Sequence, residues 1–316
     1  MKSPLIMVKT VTQSALSQRQ LHVGKPAWMK TNITGGANYF QVKRNLKSRK
    51  LVTVCEEAKC PNIGECWNSL TATFMVLGDT CTRACRFCHI KTGNPQGWLN
   101  PHEPQEVAAS AHDMNLSYVV LTMVDRDDLD DGGAGHVAQV IRAIQSMNPE
   151  MSIEILAGDF AGDLEAIATI MNLGVCVYAH NLETVERLSP RVRDRRASYQ
   201  VSLNILRRAN ELKHTKKQRP NTILTKSAIM VGLGESHDEV YKTMQDLRSV
   251  GCDLLTIGQY MRPTKKHLAI KSWVAPDVFQ EYEHMARELK FRAVLCKPLA
   301  RSSYRARDLY HQALEL

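Results

Sequence analysis

Short apolar runs alternate along this chain with longer stretches in which apolar positions recur every three or four residues. The short runs predict strands at 72–77, 118–124, 152–156, 175–179, 223–231 and 254–259. The longer stretches predict helices over 104–115, 135–147, 199–212, 236–250 and 276–290. Alternation of this kind gives six βα units, which imply a parallel sheet with right-handed crossovers. Six units fall short of an eight-fold closed barrel. The expected fold is therefore α/β, a partial (β/α)6 TIM-type barrel with functional loops at the C-terminal strand ends. A further apolar run at 291–296 leads into Arg301-Ser302-Ser303-Tyr304. The expected organisation is an N-terminal extension over 1–70, the barrel over 71–290 and a C-terminal extension over 291–316.

Charge changes the picture only at one end. The net charge is +9 over 316 residues, but residues 1–50 hold ten Lys or Arg and no Asp or Glu. That leaves 31 basic against 32 acidic residues elsewhere, so the barrel surface is not basic. Three readings fit the arm: a transit peptide over 1–22, a solvated arm, or a docking surface for an acidic protein partner. Residues 25–30 read as an ordered lead-in segment. Nucleic acid is not an expected partner: there is no zinc-finger His pair and no RNP-like aromatic strand, and aromatics make up 6%. No apolar run approaches membrane-spanning length, so no membrane partner is expected either.

Candidate chemistry is concentrated in 34 residues. Six of the nine cysteines lie between Cys55 and Cys88, as C-x4-C-x5-C (Cys55, Cys60, Cys66) and C-x3-C-x2-C (Cys81, Cys85, Cys88). With no secretory signal ahead of them, metal is expected rather than disulfides. Structural zinc sites usually take four ligands, commonly in C-x2-C pairs, and neither triplet has that internal pattern. A [4Fe–4S] cube presents four irons, so three thiolates in one loop hold three corners and leave the fourth iron open. Iron and zinc both remain open on spacing alone. Cys176, Cys252 and Cys296 lie in or beside apolar strands and read as packing.

Polar residues at the strand ends are the remaining candidates. The acid-rich stretch from Asp125 to Gly133 suits a cationic or hydroxyl-rich ligand, or equally a plain turn opening a helix. Gly158-Asp159-Phe160 and His180-Asn181-Leu182-Glu183-Thr184 follow the next two strands. Gly232-Leu233-Gly234-Glu235 offers a close backbone approach to an adenosine, weak evidence alone.

C-x3-C-x2-C resembles the loop of the radical S-adenosylmethionine (SAM) enzymes. With C-x4-C-x5-C, Val124-Asp125-Arg126-Asp127-Asp128-Leu129, His180-Asn181-Leu182-Glu183 and Arg301-Ser302-Ser303-Tyr304, the chain resembles the lipoyl synthases from Lys25 to about Ala306. The resemblance implies a barrel of the radical SAM type and, as cofactors, SAM and two [4Fe–4S] clusters. Cys81, Cys85 and Cys88 would hold the SAM-cleaving cluster. Cys55, Cys60 and Cys66 would hold an auxiliary cluster with Ser303 as fourth ligand, or Ser302 failing that. The implied reaction inserts two sulfurs, at carbons 6 and 8 of an octanoyl chain on a carrier lysine. Those carbons carry no acidic proton, so acid–base catalysis has nothing to act on and a radical is needed.

SAM contacts are expected from Thr122, Asp127, Glu154 and Asn181, and substrate contacts from His180, Glu183, Arg191, Arg193 and Tyr199. Expected partners are octanoylated carrier domains (2-oxoacid dehydrogenase E2 subunits, glycine cleavage H protein), a ferredoxin- or flavodoxin-type reductant and an iron–sulfur cluster carrier. The expected location is cytoplasmic, or mitochondrial in a eukaryote. The chain departs from the family pattern at Ala157–Ala161, at Arg193-Asp194-Arg195-Arg196-Ala197, at Cys296-Lys297-Pro298 and at His89, where Asp is common. A zinc-binding interaction protein and a methylthiotransferase are the readings from other classes.

Overall fold

The computed structural model describes residues 24–31, 35–69, 71–215 and 223–315; the readings placed on residues 1–22 lie outside these. Ten strands are present among the described residues: β1 (Val52–Thr53), β2 (Thr73–Val76), β3 (Thr80–Cys81), β4 (Lys91–Thr92), β5 (Tyr118–Met123), β6 (Ser152–Leu156), β7 (Val177–Ala179), β8 (Leu224–Val231), β9 (Leu254–Gln259) and β10 (Ala293–Cys296). β3 and β4 form a small pair of their own, and the other eight make one sheet in the order β1-β2-β5-β6-β7-β8-β9-β10. Only β1 is antiparallel to its neighbour. All remaining neighbours are parallel, and β2 and β9 are buried at every position, as strands covered on both faces must be.

All six expected strands are found, a residue or two shorter in most cases. The run at 291–296 does more than lead out of the barrel: β10 continues the sheet beside β9. The expected helices appear as Glu103–Asp113, Ala134–Met147, Tyr199–Thr215, His237–Ser249 and Pro276–Glu288. The fourth starts on a reciprocal cap, Ser236 and Glu239 each bonding the other's backbone N–H. Three further helices of eight residues or more, Ala37–Ser48, Leu164–Met171 and Ala306–Leu314, have no counterpart in the expectation. Leu164–Met171 is eight residues long and apolar at most positions, so no polar stripe betrays its period.

The sheet is open, because β1 and β10 are its edges and do not pair. Side chains join the two edges instead. Asn62 Nδ2 donates to the Leu299 carbonyl (2.8 Å), and Tyr304 Oη and Arg305 Nη2 reach the Glu65 carboxylate (2.9 Å each). At the N-terminal end of the strands, Leu309, Tyr310 and Ala313 of the last helix pack on Tyr118, Leu224 and Leu254. The lead-in segment is ordered as expected: Met29 is buried and Thr31 bonds the Pro61 carbonyl (3.2 Å). Among the described residues no helix is long and apolar enough to cross a membrane.

Candidate active site

A cavity of about 550 Å³ opens at the C-terminal strand ends, and all six clustered cysteines line it with Ser302 and Ser303. The first triplet follows β1. Thr53 caps the short helix that holds Cys55, Cys60 N–H turns back on the Cys55 carbonyl (3.0 Å), and Cys66 sits on the helix Ile63–Asn68. The second triplet is a loop whose base is closed by β3 and β4, with Gly93 N–H on the Cys81 carbonyl (3.0 Å). Among the described residues no three Cys, His, Asp or Glu side chains converge as ligands of one ion would. Each trio of sulfurs rims the cavity, where three thiolates could meet three corners of a multi-iron cube. Burial pushes the thiols up, Cys55 and Cys85 to about 11 and Cys66 and Cys88 to about 12. In the metal-free protein they are therefore thiols, and loading must expel their protons.

Arg83, inside the second triplet, anchors its loop. The guanidinium is buried and meets Asp127 (2.8 Å), Asp159 (2.6 Å) and Asp125 (3.7 Å), which lie beyond the ends of β5 and β6. Burial raises the Asp125 carboxyl to about 6 against the pull of Arg83. Residues from the departing 193–197 stretch hold the same loop from the other side. Asp194 N–H points at Cys85 Sγ (3.2 Å), its carboxylate accepts from Ala84 N–H (2.9 Å), and Arg196 bonds the Thr82 carbonyl (2.7 Å).

In the acid-rich stretch after β5, Asp125 lines the cavity, while Asp127 and Asp128 meet cations of the chain itself. Asp128 takes a two-pronged grip from Arg126 (2.8 Å on each oxygen), and Asp131 caps its own turn through Gly133 N–H and Gly135 N–H.

Of the residues singled out in the sequence, Thr122, Asn181, His180, Glu183 and Arg193 line the cavity. The other four residues singled out for contacts, Asp127, Glu154, Arg191 and Tyr199, do not line it. Asp127 is off the cavity wall, held by Arg83, Arg196 and Thr82. Glu154 is fully buried below the cavity, both oxygens taken by Lys226 (2.7 Å) and Tyr118 (2.6 Å). Arg191 is exposed outside it, and Tyr199 turns its hydroxyl to Asp246 (3.2 Å). The Gly232 turn also faces elsewhere: a Cβ there would collide with the Gln259 amide at 2.0 Å, so the glycine serves packing rather than an adenosine.

His180 and Arg193 line the wall with their polar atoms already engaged. Nδ1 of His180 faces the Ala157 carbonyl (3.0 Å) and must donate, so Nε2 accepts from Ser202 (2.8 Å), which accepts from Arg193 (2.7 Å). Burial, then Arg193, pulls that imidazole down to about 4. Of the paired serines, Ser302 donates to Asn181 Oδ1 (3.0 Å), whose amide donates to Glu183 (3.0 Å). The Ser303 hydroxyl makes no hydrogen bond among the described residues. Thr256, absent from the expected set, lines the cavity with a buried and unpartnered hydroxyl. Arg83 and Thr256 were hard to single out in sequence, because the partners of one lie 44 and 76 residues away and the other is an apolar-strand threonine. The apolar part of the wall is rich in methionine: Met75, Met123, Met230 and Met261, with Leu156 and Phe87.

The family model described as "Radical SAM superfamily" matches residues 75–247, and "N-terminal domain of lipoyl synthase of Radical_SAM family" matches residues 8–60. The lipoyl synthase of Francisella philomiragia subsp. philomiragia is 52% identical over 289 residues, covering 92% of this chain and 86% of that protein. The mitochondrial lipoyl synthase of Zygosaccharomyces rouxii is 49% identical over 290 residues, covering 90% and 73%. Among solved structures, methylornithine synthase (PylB) superposes with a TM-score of 0.55 at 14% identity, covering 81% of this chain and 69% of that one. HydG, a maturase of the [FeFe]-hydrogenase, gives 0.53 at 14%, covering 80% and 66%. These two likenesses show the barrel alone. The relatives at half identity decide between the iron and zinc readings and leave no place for the methylthiotransferase: the chain belongs to the lipoyl synthase family of radical SAM enzymes.

Proposed function

We propose that the chain converts a protein-bound octanoyl-lysine to lipoyl-lysine by radical insertion of sulfur at carbons 6 and 8. One observation carries the reading: two cysteine trios and the R-S-S-Y turn share a single cavity with an apolar wall. Cys81, Cys85 and Cys88 hold the SAM-cleaving cluster, and Cys55, Cys60, Cys66 and Ser303 hold the auxiliary cluster, which is consumed as the sulfur substrate. When bound, the first cluster with SAM supplies a 5′-deoxyadenosyl radical able to take hydrogen from an unactivated carbon.

The remaining work belongs to the chain. Arg83, Asp194 and Arg196 keep the second-triplet loop in one shape. Ser302 is retained by Asn181, which turns the neighbouring Ser303 free for iron. A hydroxyl binds iron weakly beside sulfide, so a serine corner releases easily when the cluster is dismantled. The methionine-rich wall accepts a flexible eight-carbon chain without imposing a fixed shape. The carriers are E2 lipoyl domains and the glycine cleavage H protein. A ferredoxin- or flavodoxin-type protein supplies electrons and an iron–sulfur carrier renews the auxiliary cluster, in the cytoplasm or the mitochondrial matrix.

Anaerobic reconstitution with iron and sulfide, followed by SAM, dithionite and an octanoylated lipoyl domain, tests this. Iron for two [4Fe–4S] clusters and a dithiolane on the carrier are expected. Zinc in place of iron, or full cluster loading with no sulfur on the carrier, rejects the reading.

A further inference from the structure

His89, the residue after Cys88, takes no part in the function described so far. It lines the cavity, and its Nδ1 lies 2.8 Å from the carbonyl of Glu57, between Cys55 and Cys60. A carbonyl only accepts, so Nδ1 carries the proton and donates. The His89 ring leans on that of His267, with centroids 5.6 Å apart and planes inclined by 32°. His267 Nε2 in turn faces the Cys88 carbonyl (2.9 Å) and must donate, which leaves Nδ1 to accept from the Thr264 hydroxyl (2.8 Å). The loop carrying His267 is fixed as well: Leu268 N–H bonds the Arg86 carbonyl (3.3 Å), and Tyr260 Oη bonds the Leu268 carbonyl (3.0 Å). Among the described residues no other hydrogen bond joins the 54–66 segment to the 81–89 loop.

We propose that His89 is a positioning residue that sets the spacing between the two cysteine trios, bracing the 55–60 turn against the 81–88 loop and against His267. The inference rests on the lipoyl-synthase reading, in which an alkyl radical made beside one trio must meet sulfur held by the other. A pair of aromatic rings resists compression and shear where two loops alone would drift. Drift does not stop hydrogen abstraction, but it lets the substrate radical be lost before sulfur reaches it. The signature is therefore wasted SAM, not idle enzyme.

The test uses the full chain with His89→Ala and His89→Asn, the latter keeping an N–H donor near the position of Nδ1. In the metal-free protein, exchange of the hydrogen-bonded amides of Ala58, Lys59 and Cys60 is expected to rise about fivefold in His89→Ala and to stay within about twofold in His89→Asn. In the reconstituted enzyme, 5′-deoxyadenosine released per dithiolane is expected to rise roughly threefold or more in His89→Ala at unchanged iron content, and to return toward the parent value in His89→Asn. Unchanged exchange and an unchanged ratio in His89→Ala overturn the proposal. If His89→Ala does not fold or load, His89→Asn decides: parent-like values support the bracket, and exchange or a ratio raised as far as expected for the alanine variant overturns it. A parent enzyme that makes no dithiolane counts against the lipoyl-synthase reading, while the metal-free exchange still judges the bracket.

Discussion

Thr256 and Glu154 both lie on parallel strands inside the barrel, yet only one of them reaches the cavity. Thr256 lines it with its hydroxyl buried and unpartnered, whereas Glu154 is spent on Lys226 and Tyr118. Thr256→Val should weaken SAM binding by about three- to tenfold, the worth of one hydrogen bond, in calorimetric titration of the reconstituted enzyme. Glu154→Gln should leave that affinity unchanged and lower unfolding stability by about 3–5 kcal/mol, because the Lys226 charge is left uncompensated. Acid offers a second test at this scale. Hydrogen bonds from Arg126 hold the Asp128 carboxyl down to about 2. A depressed carboxyl contributes stability that is complete above its unfolded value of about 4 and is lost as pH falls through the folded value. Asp128→Asn should therefore destabilise by about 1.5–3 kcal/mol at neutral pH, and the gap to the parent should close between about pH 4 and pH 2 in denaturant titrations. Sequence spacing exposed the cysteines and the paired serines, since those motifs are local. It did not show that Asp127 and Glu154 are already engaged, because standing at or near a strand end does not say which neighbour, 44 residues away for Arg83 or 72 for Lys226, has claimed the side chain.

Among elements, β9 and the turn after β10 are in close contact, with Gln259 N–H on the Pro298 carbonyl (3.0 Å). Gly258 of β9 has no Cβ, and one built there would stand 2.1 Å from the Ala300 carbonyl. Gly258→Ala must push the Arg301–Tyr304 turn away from the strand. Expected is loss of most auxiliary-cluster iron with the SAM-cleaving cluster kept, read by Mössbauer spectroscopy and by SAM cleavage that yields no dithiolane. An alanine variant with iron for both clusters and parental product would show that the turn gives way without harm. The βα pattern made nearly every element of the barrel legible, because strands buried on both faces are continuous apolar runs. The two-residue β1 carries no alternation to detect, and Leu164–Met171 is too uniformly apolar to show its period.

At the scale of the whole molecule, the C-terminal helix seals one end of the barrel while the turn before it serves the other. Leu309 is buried against the strand starts, so Leu309→Ala should cost about 2–5 kcal/mol in thermal or denaturant unfolding. Because Ser303 lies just upstream, the same change should also slow cluster loading; parental loading with lowered stability would separate the two roles. The seam between the sheet edges was not legible, since Asn62 meets Leu299 across 237 positions and Glu65 meets Tyr304 across 239. That distance sets a timetable. A ribosome adding about 5–20 residues per second needs on the order of ten to fifty seconds between delivering the first thiols and delivering the serine turn. On the proposed ligand set, a nascent chain during that interval owns three corners of the sulfur-donor site and lacks the fourth, so iron arriving early meets an unfinished socket.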